Sequence, residues 1–95
     1  MFEWDENKRA ANLAKHGIDF VRAARIFRNP VLERIDDRED YGEERFIAIG
    51  YWETDFVVVV TTWRGENRRI ISAWKAGADE QRSYQQAFSG RDLET

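Results

Sequence analysis

The period of apolar positions changes twice along the 95-residue chain, dividing it into a helical start, an extended middle and a helical end. Ala10, Leu13, Ala14 and Gly17 fall on one side of a 3.6-residue period, opposite Lys8, Asn12, Lys15 and His16, which predicts a helix over about residues 6–16. Asp5 is placed to cap its start, and Gly17 to end it in the left-handed conformation. Asp19 then caps a second helix with Phe20, Ala23, Ala24 and Phe27 on one face, stopped by Asn29-Pro30. From Val31 the runs become short and β-prone, predicting strands over residues 31–36, 45–52, 55–63 and 68–75. Their links are the acidic stretch after Ile35, Glu53-Thr54, and a four-residue loop at 64–67, all short enough for an antiparallel meander. Val57 to Val60 shows no polar alternation, which predicts a central strand covered on both faces. Residues 78–88 read as a last helix with Tyr84, Ala87 and Phe88 on one side, and 89–95 as a flexible tail. The expectation is a single α+β domain over 1–88: two N-terminal helices, a four-stranded antiparallel sheet and a C-terminal helix.

Composition supports one core and little more. The chain is 42% hydrophobic and 14% aromatic, enough for one domain of this size, although 35% of it is charged. It has no Cys and one His, which removes disulfides and leaves too few ligands for a transition-metal site. Phe2-Glu3-Trp4-Asp5 is not a signal sequence, and the longest apolar run, Phe56 to Val60, is far short of a membrane span, so a cytoplasmic protein without membrane contact is expected. No P-loop, dinucleotide fingerprint or nucleophile elbow occurs, and no cofactor is implied.

Net charge is −3, against a simple nucleic-acid-coating protein, yet the charge is unevenly placed. Residues 33–44 are strongly acidic and read as a solvated loop, lacking the ligand spacing of a calcium site. Arg64, Arg68, Arg69 and Lys75 instead lie with Trp63 and Trp74 on two neighbouring strands, where guanidinium forks suit phosphate and indole faces suit unpaired bases. The competing reading is a strand edge whose Arg heads snorkel over core aromatics. Simple alternation puts Arg68, Ile70, Ser72 and Trp74 on one face, and Arg69, Ile71, Ala73 and Lys75 on the other. His16, beside Lys15, is a candidate base because imidazole titrates near neutral pH, or else a helix-capping cation. Glu80, Arg82 and Tyr84 form a further polar group on the last helix.

One ordered set of motifs runs through the chain. It comprises Phe2-Glu3-Trp4-Asp5, Lys8, Asn12, Lys15-His16-Gly17-Ile18 and Phe20, then Gly42-Glu43-Glu44-Arg45-Phe46, Ile49-Gly50 and Val57 to Val60. Arg64-Gly65, Arg69-Ile70-Ile71-Ser72-Ala73, Lys75-Ala76, Glu80, Arg82 and Tyr84 complete it. The set resembles the BrnT family of bacterial type II toxins from Phe2 to Tyr84. That resemblance implies a RelE-like fold and an endoribonuclease that cleaves RNA and inhibits translation. It also implies a BrnA-type ribbon-helix-helix antitoxin, through which the complex contacts and represses its own operator DNA.

Such a ribonuclease works without a metal when the substrate's own 2′-hydroxyl attacks the phosphate and the protein orients and neutralises. On this resemblance Arg64 and Arg69 hold phosphate and Lys75 adds charge, while Glu80, Arg82 or Tyr84 transfers a proton. Lys15, His16, Trp63, Arg68 and Trp74 are then the expected RNA contacts. Two residues depart from the family's pattern: Trp74 stands where Arg is usual after Ser-Ala, and Trp63 where a polar or charged residue is usual. Trp74 leaves two readings open, a nuclease whose indole stacks on a base, or a weak or inactive antitoxin-binding module acting as corepressor.

Overall fold

The computed structural model describes the backbone of residues 1–94 and the side chains of residues 1–89. In order, the elements are β1 (Phe2–Glu3), α1 (Glu6–His16), α2 (Phe20–Ala24) running into a 3₁₀ turn (Arg25–Arg28), and β2 (Leu32–Ile35). They continue with β3 (Phe46–Trp52), β4 (Asp55–Arg64), β5 (Asn67–Lys75) and α3 (Ala78–Glu94). The helix caps are those expected: Asp5 accepts hydrogen bonds from Asn7 and Lys8, Asp19 accepts one from Val21, and Gly17 ends α1 at φ 73°. The stretch expected as a tail from Ser89 is helical as far as Glu94, and Thr95 lies outside the described residues. Among the described residues no helix is long and apolar enough to cross a membrane.

The sheet is five-stranded and mixed, in the order β1-β5-β4-β3-β2, which corrects the expected four antiparallel strands. The antiparallel meander of β2 to β5 is present, and β4 is central, with Val57 to Val60 almost completely buried. The additional strand is β1, pairing parallel to β5 through Phe2↔Arg68 and Glu3↔Arg69. Two residues carry no alternation, so this strand exists only because its partner lies at the other end of the chain. The link between β4 and β5 is also tighter than expected, because Arg64 pairs with Asn67 and leaves Gly65-Glu66 as the turn, with Gly65 at φ 61°.

One face of the sheet is sealed by the N-terminal segments. Phe20, Ala23 and Ile26 pack with Ala48, Val57, Val59, Ile70 and Ala73. The 3₁₀ turn approaches β3 so closely that a Cβ at Gly50 would sit 2.9 Å from Val31 Cγ1 and 3.0 Å from Ile26 Cβ, which only glycine avoids. The opposite face carries Ile47, Val58 and Val60, with Ile49, Phe56, Ile71 and Trp74 partly buried beside them. Helix α3 covers one end of it, where Tyr84 meets Tyr51 and Phe56 at centroid distances of 6.0 and 5.5 Å.

Helix α1 docks by polar contacts, reversing the expected apolar face. Ala10, Leu13 and Ala14 are exposed, whereas Asn12, expected on the outer side, is buried. Its amide nitrogen donates to the carbonyls of Ile18 and Ala73, both at 2.9 Å, and its oxygen accepts from Ala73 N–H at 3.1 Å. Strand β1 ends too soon to pair with this part of β5, and Asn12 takes its place at the edge. Arg9 completes the attachment through a two-pronged pair with Asp19, 2.8 and 3.0 Å.

Candidate functional site

Strand β5 contains a bulge that decides what the open face presents. Val60 pairs with Ser72 but Thr61 pairs with Ile70, so Ile71 is the extra residue. Ile70 and Ala73 therefore both enter the helix-covered core, three positions apart, while Ile71 and Trp74 pack on the other side. Simple alternation had placed Trp74 with Ile70, and Ile71 with Ala73. The bulge overturns both assignments and brings Trp74 out onto the face that the N-terminal helices leave uncovered.

There Trp74 lines a groove of about 640 Å³ together with His16, Arg38, Tyr41, Arg45, Ser72 and Lys75. His16 comes from the last turn of α1, and its ring centroid is 6.3 Å from that of Trp74. A second groove of about 260 Å³ shares His16, Ile71 and Ser72 and extends past Lys8 and Lys15. Lys8, Lys15, Arg38, Arg45 and Lys75 are the charged residues of these two linings, and no carboxylate is among them. Arg38 and Arg45 are paired with Asp36 and Glu43, at 2.7 and 3.2 Å, so Lys8, Lys15 and Lys75 supply most of the net positive charge that the trough offers an anion.

The loop between β2 and β3, expected to be a solvated acidic stretch, forms one wall of this trough. Asp36 is not solvated: it is 5% exposed and receives Arg38 Nε and Nη2, each at 2.7 Å. Its backbone N–H donates to Arg45 C=O at 2.7 Å, and Tyr41 Oη donates to its carboxylate at 3.3 Å. The Arg38 guanidinium carbon lies 5.5 Å from the Trp74 ring centroid, and that of Arg45 lies 4.2 Å from Tyr41. Arg38, Tyr41 and Arg45 are the residues that sequence reasoning missed. The available signal was Arg38 and Tyr41 inside a segment read for its acids, and Arg45 directly after it.

Hydrogen bonding by Arg38 holds the Asp36 carboxyl below the ordinary value of 3.8, and Arg9 does the same to Asp19. The native state therefore binds fewer protons in acid than the unfolded chain. These carboxylates contribute stability that is complete above about pH 4 and lost as pH falls through their depressed native values. In urea titrations, the unfolding midpoint should drop below about pH 4, and Asp36→Asn should flatten that drop. An Asp36→Asn variant with undiminished acid sensitivity would exclude this contribution.

The structure divides the residues expected from the sequence. Lys15, His16, Trp74 and Lys75 come together in the trough. Arg64, Arg68 and Arg69 do not line it, and each is ion-paired: Arg64 with Glu43 at 3.4 Å, Arg69 with Glu3 at 2.6 Å, and Arg68 with Glu33. Arg68 is also sandwiched by Phe27 and Trp63, at 4.2 and 5.1 Å, and burial lowers its pKa. Glu80 Oε1 accepts the Gly77 N–H at 2.8 Å, and Arg82 pairs with Asp79 within the first turns of α3. The Tyr84 hydroxyl is bonded to Pro30 C=O at 2.7 Å, and burial raises its pKa.

No group of three or more His, Cys, Asp or Glu residues among those described is arranged to hold a metal ion. A basic trough around a single imidazole has the electrostatic footprint of a surface for a polyanion. The family described as the ribonuclease toxin BrnT of type II toxin-antitoxin systems matches residues 4–80, and the chain belongs to that family. Membership supplies the polyanion, RNA, and implies an antitoxin partner. A comparison with curated proteins gives no match.

Proposed function

We propose that this chain is an endoribonuclease that cuts RNA without a metal ion and stops translation when its antitoxin is absent. The observation that carries the reading is the cation-lined trough surrounding His16. Its charge favours a phosphodiester backbone and repels a divalent cation. The 2′-hydroxyl of the substrate attacks the adjacent phosphorus, and the bond to the 5′-oxygen breaks, giving a 2′,3′-cyclic phosphate and a 5′-hydroxyl. His16 takes the 2′ proton, the departing 5′-oxygen gains one from solvent, and Lys15 and Lys75 offset charge growing on the phosphate.

This reading moves the reacting centre away from several expected residues. Arg64, Arg68, Arg69 and Trp63 serve the ion pairs and stacking at the far end of the sheet, and Glu80, Arg82 and Tyr84 serve α3. The partner fitting the family is a BrnA-type ribbon-helix-helix antitoxin, which carries the operator contacts, and the setting is the cytoplasm. The competing reading, an inactive corepressor, rests on Trp74.

The test is incubation of the purified chain with end-labelled single-stranded RNA in excess chelator. Cleavage to cyclic-phosphate ends is expected, with a 2′-deoxy substitution blocking its own position. If the wild type leaves RNA intact while Trp74→Arg cuts it, the corepressor reading replaces the nuclease.

A further inference from the structure

We infer that Arg38 is the arginine that grips the scissile phosphate, held along one edge by Asp36 and supported by Trp74; this rests on the nuclease reading above. Asp36 occupies Nε and Nη2 of the guanidinium, both at 2.7 Å. Among the described residues the Nη1 edge has no hydrogen-bond partner, and it belongs to a side chain that is 54% exposed at the groove. A guanidinium fastened along one edge offers the remaining fork to a phosphate's two oxygens.

The burial of the partner sets Arg38 apart. The Asp36 side chain is 1% exposed and does not line the groove, so a bound phosphate does not meet that carboxylate directly. Arg64 is paired instead with Glu43, whose side chain is 28% exposed. Burying a carboxylate is unfavourable unless it is fully hydrogen-bonded, and an exposed ion pair adds little stability. The hydrogen bonds that offset the burial of Asp36 also immobilise the cation that makes them. Fixing an arginine's rotamers before substrate arrives removes part of their entropic cost from binding.

Trp74 supplies the third constraint. Arg38 and His16 both approach its ring, at 5.5 and 6.3 Å, so the indole sets the spacing between the phosphate-holding fork and the proton acceptor. Asp36 and Trp74 are accordingly positioning residues, and Arg38 touches substrate. The charge need not come from the strand that carries Trp74, because the loop delivers it across the groove.

The test compares single-turnover cleavage of single-stranded RNA by the wild type, Arg38→Lys, Arg38→Ala and the double variant D36N/R38Q. Arg38→Ala leaves the buried Asp36 carboxylate unpaired, whereas the double variant removes that charge and retains an amide pair. Cleavage should fall by about 100-fold in both, as when one donor to a developing oxyanion is removed. Arg38→Lys, which keeps the charge but loses the fork, should recover less than about a tenth of the activity. Millimolar methylguanidinium, held by the freed Asp36 carboxylate, should restore part of the rate to Arg38→Ala and none to the double variant or Trp74→Ala. Cleavage within threefold of wild type by the double variant, or full activity in Arg38→Lys, overturns the role of Arg38 and leaves the nuclease reading standing. RNA left intact by the wild type removes both.

Discussion

Replacement of His16 by Ala is expected to lower the rate of RNA cleavage by about 10²–10⁴-fold, the usual contribution of a positioned general base. His16 is exposed at the end of α1, and its described interaction is the tilted approach to Trp74. Removing it therefore deletes chemistry with little packing. Because the side chain is exposed, the unfolding midpoint should move only slightly. The decisive measurement pairs the two quantities: cleavage under single-turnover conditions, and affinity for an RNA made uncleavable by 2′-O-methylation. Loss of rate with near-constant affinity is the expected pattern. Retention of cleavage would remove His16 from the reaction and return the search for a proton acceptor to Glu80, Arg82 or Tyr84.

Asn12→Leu is expected to cost about 3 kcal/mol of stability, because it removes the partner of backbone groups on β5 and in the turn after α1. The side chain is 7% exposed and satisfies Ala73 N–H, Ala73 C=O and Ile18 C=O at 2.9–3.1 Å. For a domain of this size the loss corresponds to roughly 12–24 °C in Tm. Asn12→Asp should cost a comparable amount, since a carboxylate cannot donate to either carbonyl. A loss below about 1 kcal/mol by chemical denaturation would show that the helix is held by Arg9 and Asp19 instead. Because His16 is one turn further along the same helix, loosening Asn12 should also reduce cleavage in a fully folded sample.

These expectations also explain why Trp74 need not mark an inactive protein. The resemblance to the family leads one to seek a strand guanidinium at that position, whereas the fold brings Arg38 against the indole from the opposite wall. The groove retains a cation beside its imidazole.

Local chemistry was legible from the residues. The Asp5 and Asp19 caps, the Gly17 turn, the Glu53-Thr54 hairpin and the buried Val57 to Val60 strand each depend on side chains within a few positions of one another. The ordered motifs from Phe2 to Tyr84 carried the family. Lys15, His16, Trp74 and Lys75 line adjoining grooves, although simple alternation had set Trp74 and Lys75 on opposite faces. The α1 orientation was misread because a hydrophobic period assumes that a helix docks by its apolar side. Here a buried amide and an ion pair do so, and the amide's partner Ala73 lies 61 positions away.

The sequence by itself determined the α+β class, the central strand, the family, and the acidic and basic segments at 33–44 and 64–75. Tertiary structure decided which charges are available and which way Trp74 faces. Arg64, Arg68 and Arg69 are matched by Glu43, Glu33 and Glu3, acids from other strands and loops whose approach no local pattern encodes. A single extra residue at Ile71 inverts the alternation of everything after it, since strand side chains have a period of two. That inversion carries Trp74 out of the covered core and sets it between His16 and Arg38.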